Sequence, residues 1–444
     1  MCYSGVVFCS IMIVIGIATE RKKINPITVF YTLWLLIFQL SDLRFYNLKE
    51  TSDRTYLIIL YGLISYGIGY YVIRILFRKY SYNIKLKKIQ NRNIKKQFFL
   101  KYRLLYILSV ICILVYLYDL STIFSYIING NSLGYIRALV QDSNSFIYTN
   151  RSAIENAIRL LIVTPFALAL QPIVAADFWI GSRDKKLLVM NIIMIFLRVV
   201  TDGSRALILY FLFHLIVISF FSDKKWSKAK TKLNKKNKLN KFIVIVSIVV
   251  IGIFALYKTT LSRSGENFIR YLYYYFSMEP YMFQTWTEIV DNTNIIGYGL
   301  ASLNGFIFTI FYVLKNFLMF PKYPEYWYSI YNFILSTDSN WHVIAGDATI
   351  ANAYVSLFFF FYLDGKILGV IVGAFLYGVF SARVFINALN RRDTKSICIY
   401  SIILQGISFS FVRFQFADIY YALAVFFIIF IVYKPSRILL NNNK

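Results

Sequence analysis

Several arginines of this sequence stand beside apolar runs, where a charge is costly and therefore informative. Arg198 and Arg205 flank a TDGS turn between two apolar stretches, and Arg413 stands at the end of a third. Arg263 and Arg270 are two helical turns apart, so a helix would place both on one face. A guanidinium group binds two phosphate oxygens at once, unlike the point charge of lysine. We expect these arginines to bind a phosphorylated or pyrophosphorylated lipid head group.

Each of these arginines also has a structural explanation. Arg205 paired with Asp202 would hold a helical hairpin together, and Arg198 fits a structural and a functional role equally well. Arg270 stands beside an aromatic run, which suits snorkelling at a membrane interface, and solvation explains Arg137 equally well. Our hypothesis is functional. We expect Arg205, Arg263 and Arg270 to be catalytic. We expect Arg137, Arg198 and Arg413 to bind substrate.

Two histidines and a few acids complete the candidate chemistry. His342 lies beside acids in a polar segment, where it would serve as a general base on a hydroxyl group, although a solvated histidine is the alternative. His214 lies inside an apolar run and is expected to be a packed, hydrogen-bonded residue. Aromatic rings next to carboxylates suit sugars. We therefore expect Glu279, Asp347 and Tyr354 to bind substrate.

Other classes of site have no signal in the sequence. The four cysteines have no CxxC spacing, and no HExxH pattern is present, so we expect no metal. Neither GxxxxGK[ST] nor GxGxxG occurs, so we expect no nucleotide cofactor. The net charge of +27 would suggest nucleic acid in a soluble protein. In a membrane protein, basic loops at the cytoplasmic face explain this net charge better. We expect these loops to contact anionic membrane lipids.

The elements that must position these residues are membrane helices. Of the 444 residues, 58% are hydrophobic and 19% aromatic, which is typical of membrane proteins. We predict an all-α, polytopic transmembrane helix bundle forming a single integral membrane domain over residues 1–444. A helix of about 20 apolar residues crosses a bilayer. By this measure the bundle has about 11 spans, near residues 3–19, 27–40, 55–77, 104–120, 157–178, 187–201, 205–221, 242–257, 366–389, 396–413 and 418–433.

The charge pattern predicts an orientation for these spans. Most of the 48 Lys and Arg residues lie in six segments that alternate correctly along the chain and are therefore expected on the cytoplasmic side. The N-terminus is then external and the C-terminus cytoplasmic. A large external loop, 258–365, is rich in aromatic residues. Its stretches 306–320 and 352–363 are expected to be short interfacial or re-entrant helices.

Two segments resemble a known family. DGSRALIL, between two short spans, and the run NAYVSLFFFFYLDGKILGVIVGAFLYGVFSARVF, residues 352–385, resemble segments of bacterial oligosaccharide repeat-unit polymerases, the Wzy-type O-antigen and capsule polymerases. The long outward loop that precedes the second segment fits the same family. The resemblance extends over much of residues 100–433.

The resemblance implies a reaction at the outer face of the bacterial inner membrane. A growing glycan on undecaprenyl pyrophosphate would be transferred to the sugar of a new lipid-linked repeat unit, without metal or cofactor. By position, Arg205 matches the arginine of the family's GSR segment, and Arg263 and Arg270 match arginines that open the large loop. His342 is the residue placed to match the loop histidine of the related O-antigen ligases. The implied partners are undecaprenyl-pyrophosphate-linked oligosaccharides, with a chain-length regulator protein as a further candidate.

Three other functions remain open. A flippase for lipid-linked oligosaccharides predicts charges along the middle of the spans and a pseudo-symmetric pair of bundles. A ligase-like glycosyltransferase that uses a polyprenyl-linked donor would share the arginines and depend more strictly on His342. A membrane scaffold without activity would not explain arginines at the outward end of apolar helices.

Overall fold

The protein is described by a computed structural model. It describes residues 1–20, 22–87, 94–131, 135, 139, 151–202, 206–221, 268–318, 320–346 and 348–439. Most of this part is helical, in agreement with the expected helix bundle. The helices are α1 (Cys2–Thr19), α2 (Pro26–Leu43), α3 (Asp53–Lys87), α4 (Tyr102–Ile128), α5 (Ala153–Trp179), α6 (Lys185–Asp202), α7 (Ala206–Ser219), α8 (Phe268–Ser277), α9 (Glu279–Thr293), α10 (Asn304–Phe317), α11 (Glu325–Ser339), α12 (Ser356–Arg391), α13 (Thr394–Ser408) and α14 (Ile419–Ile431).

Six of these helices are long and apolar enough to cross a membrane: α1, α2, α3, α4, α5 and α12. Each contains a long, mostly apolar stretch, and polar side chains cap the starts of α2 and α5. Asn25, for example, accepts a hydrogen bond from the backbone of Thr28 and begins α2 as one half of a capping box. The predicted spans 187–201, 205–221, 396–413 and 418–433 correspond to α6, α7, α13 and α14, which are shorter or carry more charge. The predicted span 242–257 lies outside the described residues.

Helix α12 reverses direction near its start. Gly365 and Lys366 have non-helical backbone angles, and a Cβ atom at Gly369 would overlap the carbonyl oxygen of Phe361. Residues eight positions apart cannot touch along one continuous helix, so the chain must fold back at 365–366. The arm from Ser356 to Leu363 is therefore short and returns on the long second arm. The predicted short helix at 352–363 is thus the first arm of a helical hairpin.

Two small antiparallel sheets correct the all-α prediction. Strands β1 (Ile94–Leu100) and β4 (Tyr433–Leu439) pair along their full length, and β2 (His342–Ala345) pairs with β3 (Thr349–Ala351). Both strands of the first pair come from segments whose basic residues indicated loops. Pairing satisfies their backbone groups, which a loop would leave to water.

The described parts of several predicted basic segments meet at one end of the bundle. The β1–β4 pair joins two of them, the Lys22 ammonium donates to the carbonyl oxygen of Phe220 at 2.7 Å, and the Lys395 ammonium lies 4.3 Å from the ring centre of Phe98. The segment 268–355 packs on the opposite end. There the Tyr273 hydroxyl donates to the carbonyl oxygen of Leu40 at 2.8 Å. The bundle therefore has one basic end and one end covered by the helices and the hairpin of 268–355.

Candidate functional site

A cavity of about 280 Å³ opens among five helices at the end covered by 268–355. Its walls come from α5, α6, α7, α13 and α14 and from the irregular segment 409–418 between the last two. Arg198 and Arg413 both line it, together with Asp418, Gln405 and Gln415. Two guanidinium groups from distant parts of the sequence thus reach one cavity, whose walls are otherwise mostly apolar.

Arg198 reaches the cavity from the last turns of α6. Its Nη1 atom donates to the hydroxyl group of Tyr116 at 3.1 Å and lies 3.5 Å from the hydroxyl oxygen of Thr164. The guanidinium carbon also lies 5.5 Å from the ring centre of Tyr116, within range of a cation–π contact. These contacts orient the guanidinium group, which lines the cavity.

Arg413 reaches the cavity from the segment 409–418, because α13 ends at Ser408 rather than at the predicted residue 413. Its guanidinium forms an ion pair with Asp338, at the end of α11. Burial alone would lower the pKa of Arg413, but the charges of Asp338 and Asp418 raise it above its usual value. The group therefore stays charged, and Asp418 also caps α14 through the backbone of Tyr421.

A buried polar layer lies behind the cavity wall. His214 bonds the Ser401 hydroxyl at 2.8 Å through Nδ1 and the Gln405 side-chain oxygen at 2.9 Å through Nε2. His214 is therefore a packed, hydrogen-bonded residue. The Nε2 atom of Gln405 makes no hydrogen bond within the described part of the chain, although it is buried. This amide group lines the cavity and offers a further donor to an anion.

Arg270 and Tyr354 lie at a neighbouring site around the β2–β3 hairpin and do not line the cavity. Arg270 donates to the hydroxyl group of Thr349 at 3.1 Å and contacts two tyrosine rings. Tyr354 stacks on Tyr275 with ring centres 5.5 Å apart. Ala353, Tyr354 and Ser356 all have positive φ angles of 53–59°, which residues other than glycine rarely adopt. This strained loop runs beside Arg413, since Ser356 forms a parallel β-bridge with it.

His342 and Glu279 do not reach the cavity. The His342 ring meets Trp286 edge-on at 5.3 Å, its Nε2 atom is buried, and burial lowers its pKa. Glu279 begins α9 and is fully buried, and neither carboxylate oxygen has a partner within hydrogen-bond geometry among the described residues. Packing around the first arm of α12 encloses Glu279, so its expected contact with substrate has no path in this conformation.

Four predicted site residues, Arg137, Arg205, Arg263 and Asp347, lie outside the described residues, as does the side chain of Asp202. Arg205 is the neighbour in sequence of Ala206, which lines the cavity. No group of three His, Cys, Asp or Glu residues that suits a metal ion occurs in the described ranges.

The sequence did not predict an ion-pair network that joins α4 to the start of α5. Asp119 on α4 lies 2.5 Å from an Nη1 atom of Arg159 and 3.4 Å from an Nη2 atom of Arg151. Arg159 begins a π-helical turn inside α5, a feature frequent at functional sites. Both Asp119 and Arg159 lie in predicted spans. Because a charge at membrane depth is costly, their positions could have indicated that they pair.

An apolar groove of about 580 Å³ lies on the other side of the segment 409–418. Successive side chains of this segment alternate between the two spaces. Arg413 and Gln415 line the polar cavity, whereas Phe414 and Phe416 line the groove. The segment thus separates a cavity that charged side chains line from an apolar groove.

Comparison with protein-family models, with curated proteins and with solved structures finds no match for this chain.

Proposed function

We propose that the protein is a glycosyltransferase that polymerises lipid-linked oligosaccharide repeat units at the outer face of the bacterial inner membrane. The growing glycan would move from undecaprenyl pyrophosphate to a sugar hydroxyl of a new lipid-linked unit. The observation that carries this proposal is the shared cavity of Arg198 and Arg413, which adjoins the chain neighbour of Arg205.

The cavity supports the proposal through the chemistry of the leaving group. Cleaving the bond between a sugar and a diphosphate leaves negative charge on the diphosphate, and preorganised donors that meet this charge accelerate the step. Arg198, Arg413 and the amide of Gln405 are such donors. The pair with Asp338 and the bonds to Tyr116 hold both guanidinium groups before substrate arrives, so little reorganisation is needed.

Two stacked tyrosine rings beside the cavity offer a binding surface for the acceptor sugar. Tyr354 and Tyr275 stack at the strained loop next to Arg413, and aromatic faces pack well on the apolar faces of sugars. His342 does not line the cavity. A mechanism that depends on a histidine base, as in the ligase-like alternative, is therefore less favoured than one carried by the arginines.

The test is the glycan ladder of cells that carry only a variant protein. Arg198→Ala, Arg205→Ala and Arg413→Ala should abolish polymer while single-repeat material persists. Arg198→Lys should also be impaired by about 10²-fold or more, because the charge stays but the paired donors are lost.

The matched control is Arg44→Ala. Arg44 lies at the same end of the bundle, is about half exposed and pairs with Glu50 outside the cavity. It should leave the ladder unchanged. Full-length polymer from Arg198→Ala or Arg413→Ala at normal protein level would contradict the proposal, and loss of single-repeat material as well would favour a flippase.

A further inference from the structure

A second cluster of cations lies at the tip of the α12 hairpin and does not line the arginine cavity. Arg54 and Lys366 contact the carboxylate of Asp291 at 2.9 and 3.0 Å. The Tyr362 hydroxyl donates to the same carboxylate at 2.8 Å. Burial would raise the pKa of Asp291, but Tyr362 and the two cations lower it below its usual value. The carboxylate stays ionised, and two cations against one anion leave one positive charge uncompensated.

The free donors of this cluster face outward. The Arg54 side chain is 65% exposed, and its hydrogen bonds within the described part of the chain all come from Nη2. Its Nε and Nη1 groups thus remain for a second, paired contact with an anion. Lys366 donates to the Val290 carbonyl oxygen and to Asp291, which fixes its ammonium beside that guanidinium.

The backbone holds Lys366 in an unusual conformation. Its φ of 55° with ψ of −142° lies in a region that residues other than glycine seldom occupy. The hairpin turn places Lys366 next to Asp291 at the cost of this conformation. Strain of this kind is concentrated at functional positions, because elsewhere a glycine would relieve it.

The surroundings of the cluster indicate a lipid rather than a free ion. Arg54 and Lys366 line a cleft of about 620 Å³. The same cleft is lined by Leu368 and Ile371, whose side chains are 69% and 39% exposed at the start of the long arm of α12. A head group at the cations would place its hydrocarbon chain along these aliphatic side chains.

We propose that Arg54 and Lys366 form a second site for the phosphate or diphosphate head group of a membrane lipid. Its assignment to the second lipid-linked substrate rests on the proposed function. The short arm of α12 connects the two sites, because Ser356 pairs with Arg413 and Tyr362 contacts Asp291. Six residues of helix separate these contacts by about 9 Å along the axis, a spacing that brings two diphosphate lipids to one reaction.

The experiment counts binding sites for farnesyl diphosphate on the purified full-length chain in phosphatidylcholine nanodiscs. The wild-type protein should bind two molecules per chain. The double variant Arg54→Gln with Lys366→Gln should bind one, and so should Arg198→Gln with Arg413→Gln. Arg54→Gln alone leaves the Lys366–Asp291 pair intact, so it should fold normally and weaken one of the two sites at least tenfold. Arg44→Gln should keep both sites.

The outcomes separate the two proposals. The proposal of a second site is wrong if the Arg54→Gln variant and the Arg54/Lys366 double variant both bind two molecules with unaltered affinity. It is also wrong if the wild type binds one molecule and the double variant binds it equally well. Loss of one site in this variant, with two kept in the Arg198/Arg413 variant, would uphold the second site and contradict the proposed function. Inorganic pyrophosphate should compete at least tenfold more weakly than farnesyl diphosphate; equal competition would assign the site to a free anion and overturn the lipid.

Discussion

At the residue scale, identical side chains have different roles because their neighbours differ. Arg198 lines the cavity, whereas Arg270 donates to the hydroxyl group of Thr349 and contacts two tyrosine rings outside it. The sequence predicts that arginines beside apolar runs are important. It does not predict that Arg198 and Arg413 share a cavity, since that depends on how α6 and the segment after α13 pack together.

Glu279 makes the stability of the protein depend on pH. Burial raises its pKa from 4.5 to about 8, and the nearby Ser356 hydroxyl offsets only part of the rise without reaching hydrogen-bond geometry. The folded state therefore binds a proton that the unfolded chain releases above its ordinary pKa. The stabilisation that results is complete below pH 4.5 and is lost as pH rises to about 8.

We expect this single group to lower the free energy of unfolding by up to about 1.4 kcal/mol per pH unit between roughly pH 5 and pH 8. Thermal unfolding of the purified protein across this range measures the effect. Glu279→Gln mimics the neutral acid and should flatten the profile, while Glu288→Gln, on the exposed face of the same helix, should not. An identical pH dependence in Glu279→Gln and the wild type would show that Glu279 does not titrate in this way.

At the element scale, the apolar pattern of the α12 hairpin predicts a short helix but not the reversal of the chain. The run 352–363 is too short to cross a bilayer, so a short interfacial or re-entrant helix follows from its length. The reversal itself depends on close contact between Phe361 and Gly369, which brings together residues of two arms. Periodicity within one arm carries no information about such contacts.

Gly369 should tolerate no side chain. A Cβ atom there would overlap the backbone oxygen of Phe361, which cannot move without shifting the first arm. We expect Gly369→Ala to destabilise the protein by about 1–3 kcal/mol, the usual range for overpacking, and to lower its thermal unfolding midpoint.

Gly365→Ala is the matched control at the turn of the same hairpin. Gly365 has an extended φ of −171°, and a Cβ atom there meets open space. It should unfold at the wild-type temperature. If Gly369→Ala is as stable as Gly365→Ala, the two arms do not pack as described.

The strands β1 and β4 show why part of the fold escapes prediction from local sequence. Their residues IKKQFFL and YKPSRIL carry basic side chains and a proline, which indicate loops on the cytoplasmic side. Their pairing joins segments that are far apart in the sequence. It depends on the distant partner, so neither segment alone predicts a strand.

At the scale of the whole molecule, charge separates the two ends of the bundle. The described parts of several basic segments lie at one end, where the β1–β4 pair and the contacts of Lys22 and Lys395 join them. Clustered arginines, paired acids and the packed segment 268–355 occupy the other end. In the orientation that we propose, the end with the arginine cavity lies at the outer face. This arrangement also brings the polar cavity and the apolar groove together on either side of one segment, as a lipid with a charged head group requires.

The most direct measurement is a cryo-electron microscopy map of the full-length protein in nanodiscs with farnesyl diphosphate. We expect density for the diphosphate in the arginine cavity, within hydrogen-bond distance of the guanidinium groups of Arg198 and Arg413, and loss of that density in the Arg198→Gln variant. An empty cavity in a map that shows the ligand elsewhere, or the two guanidinium groups turned away from each other, would contradict this expectation.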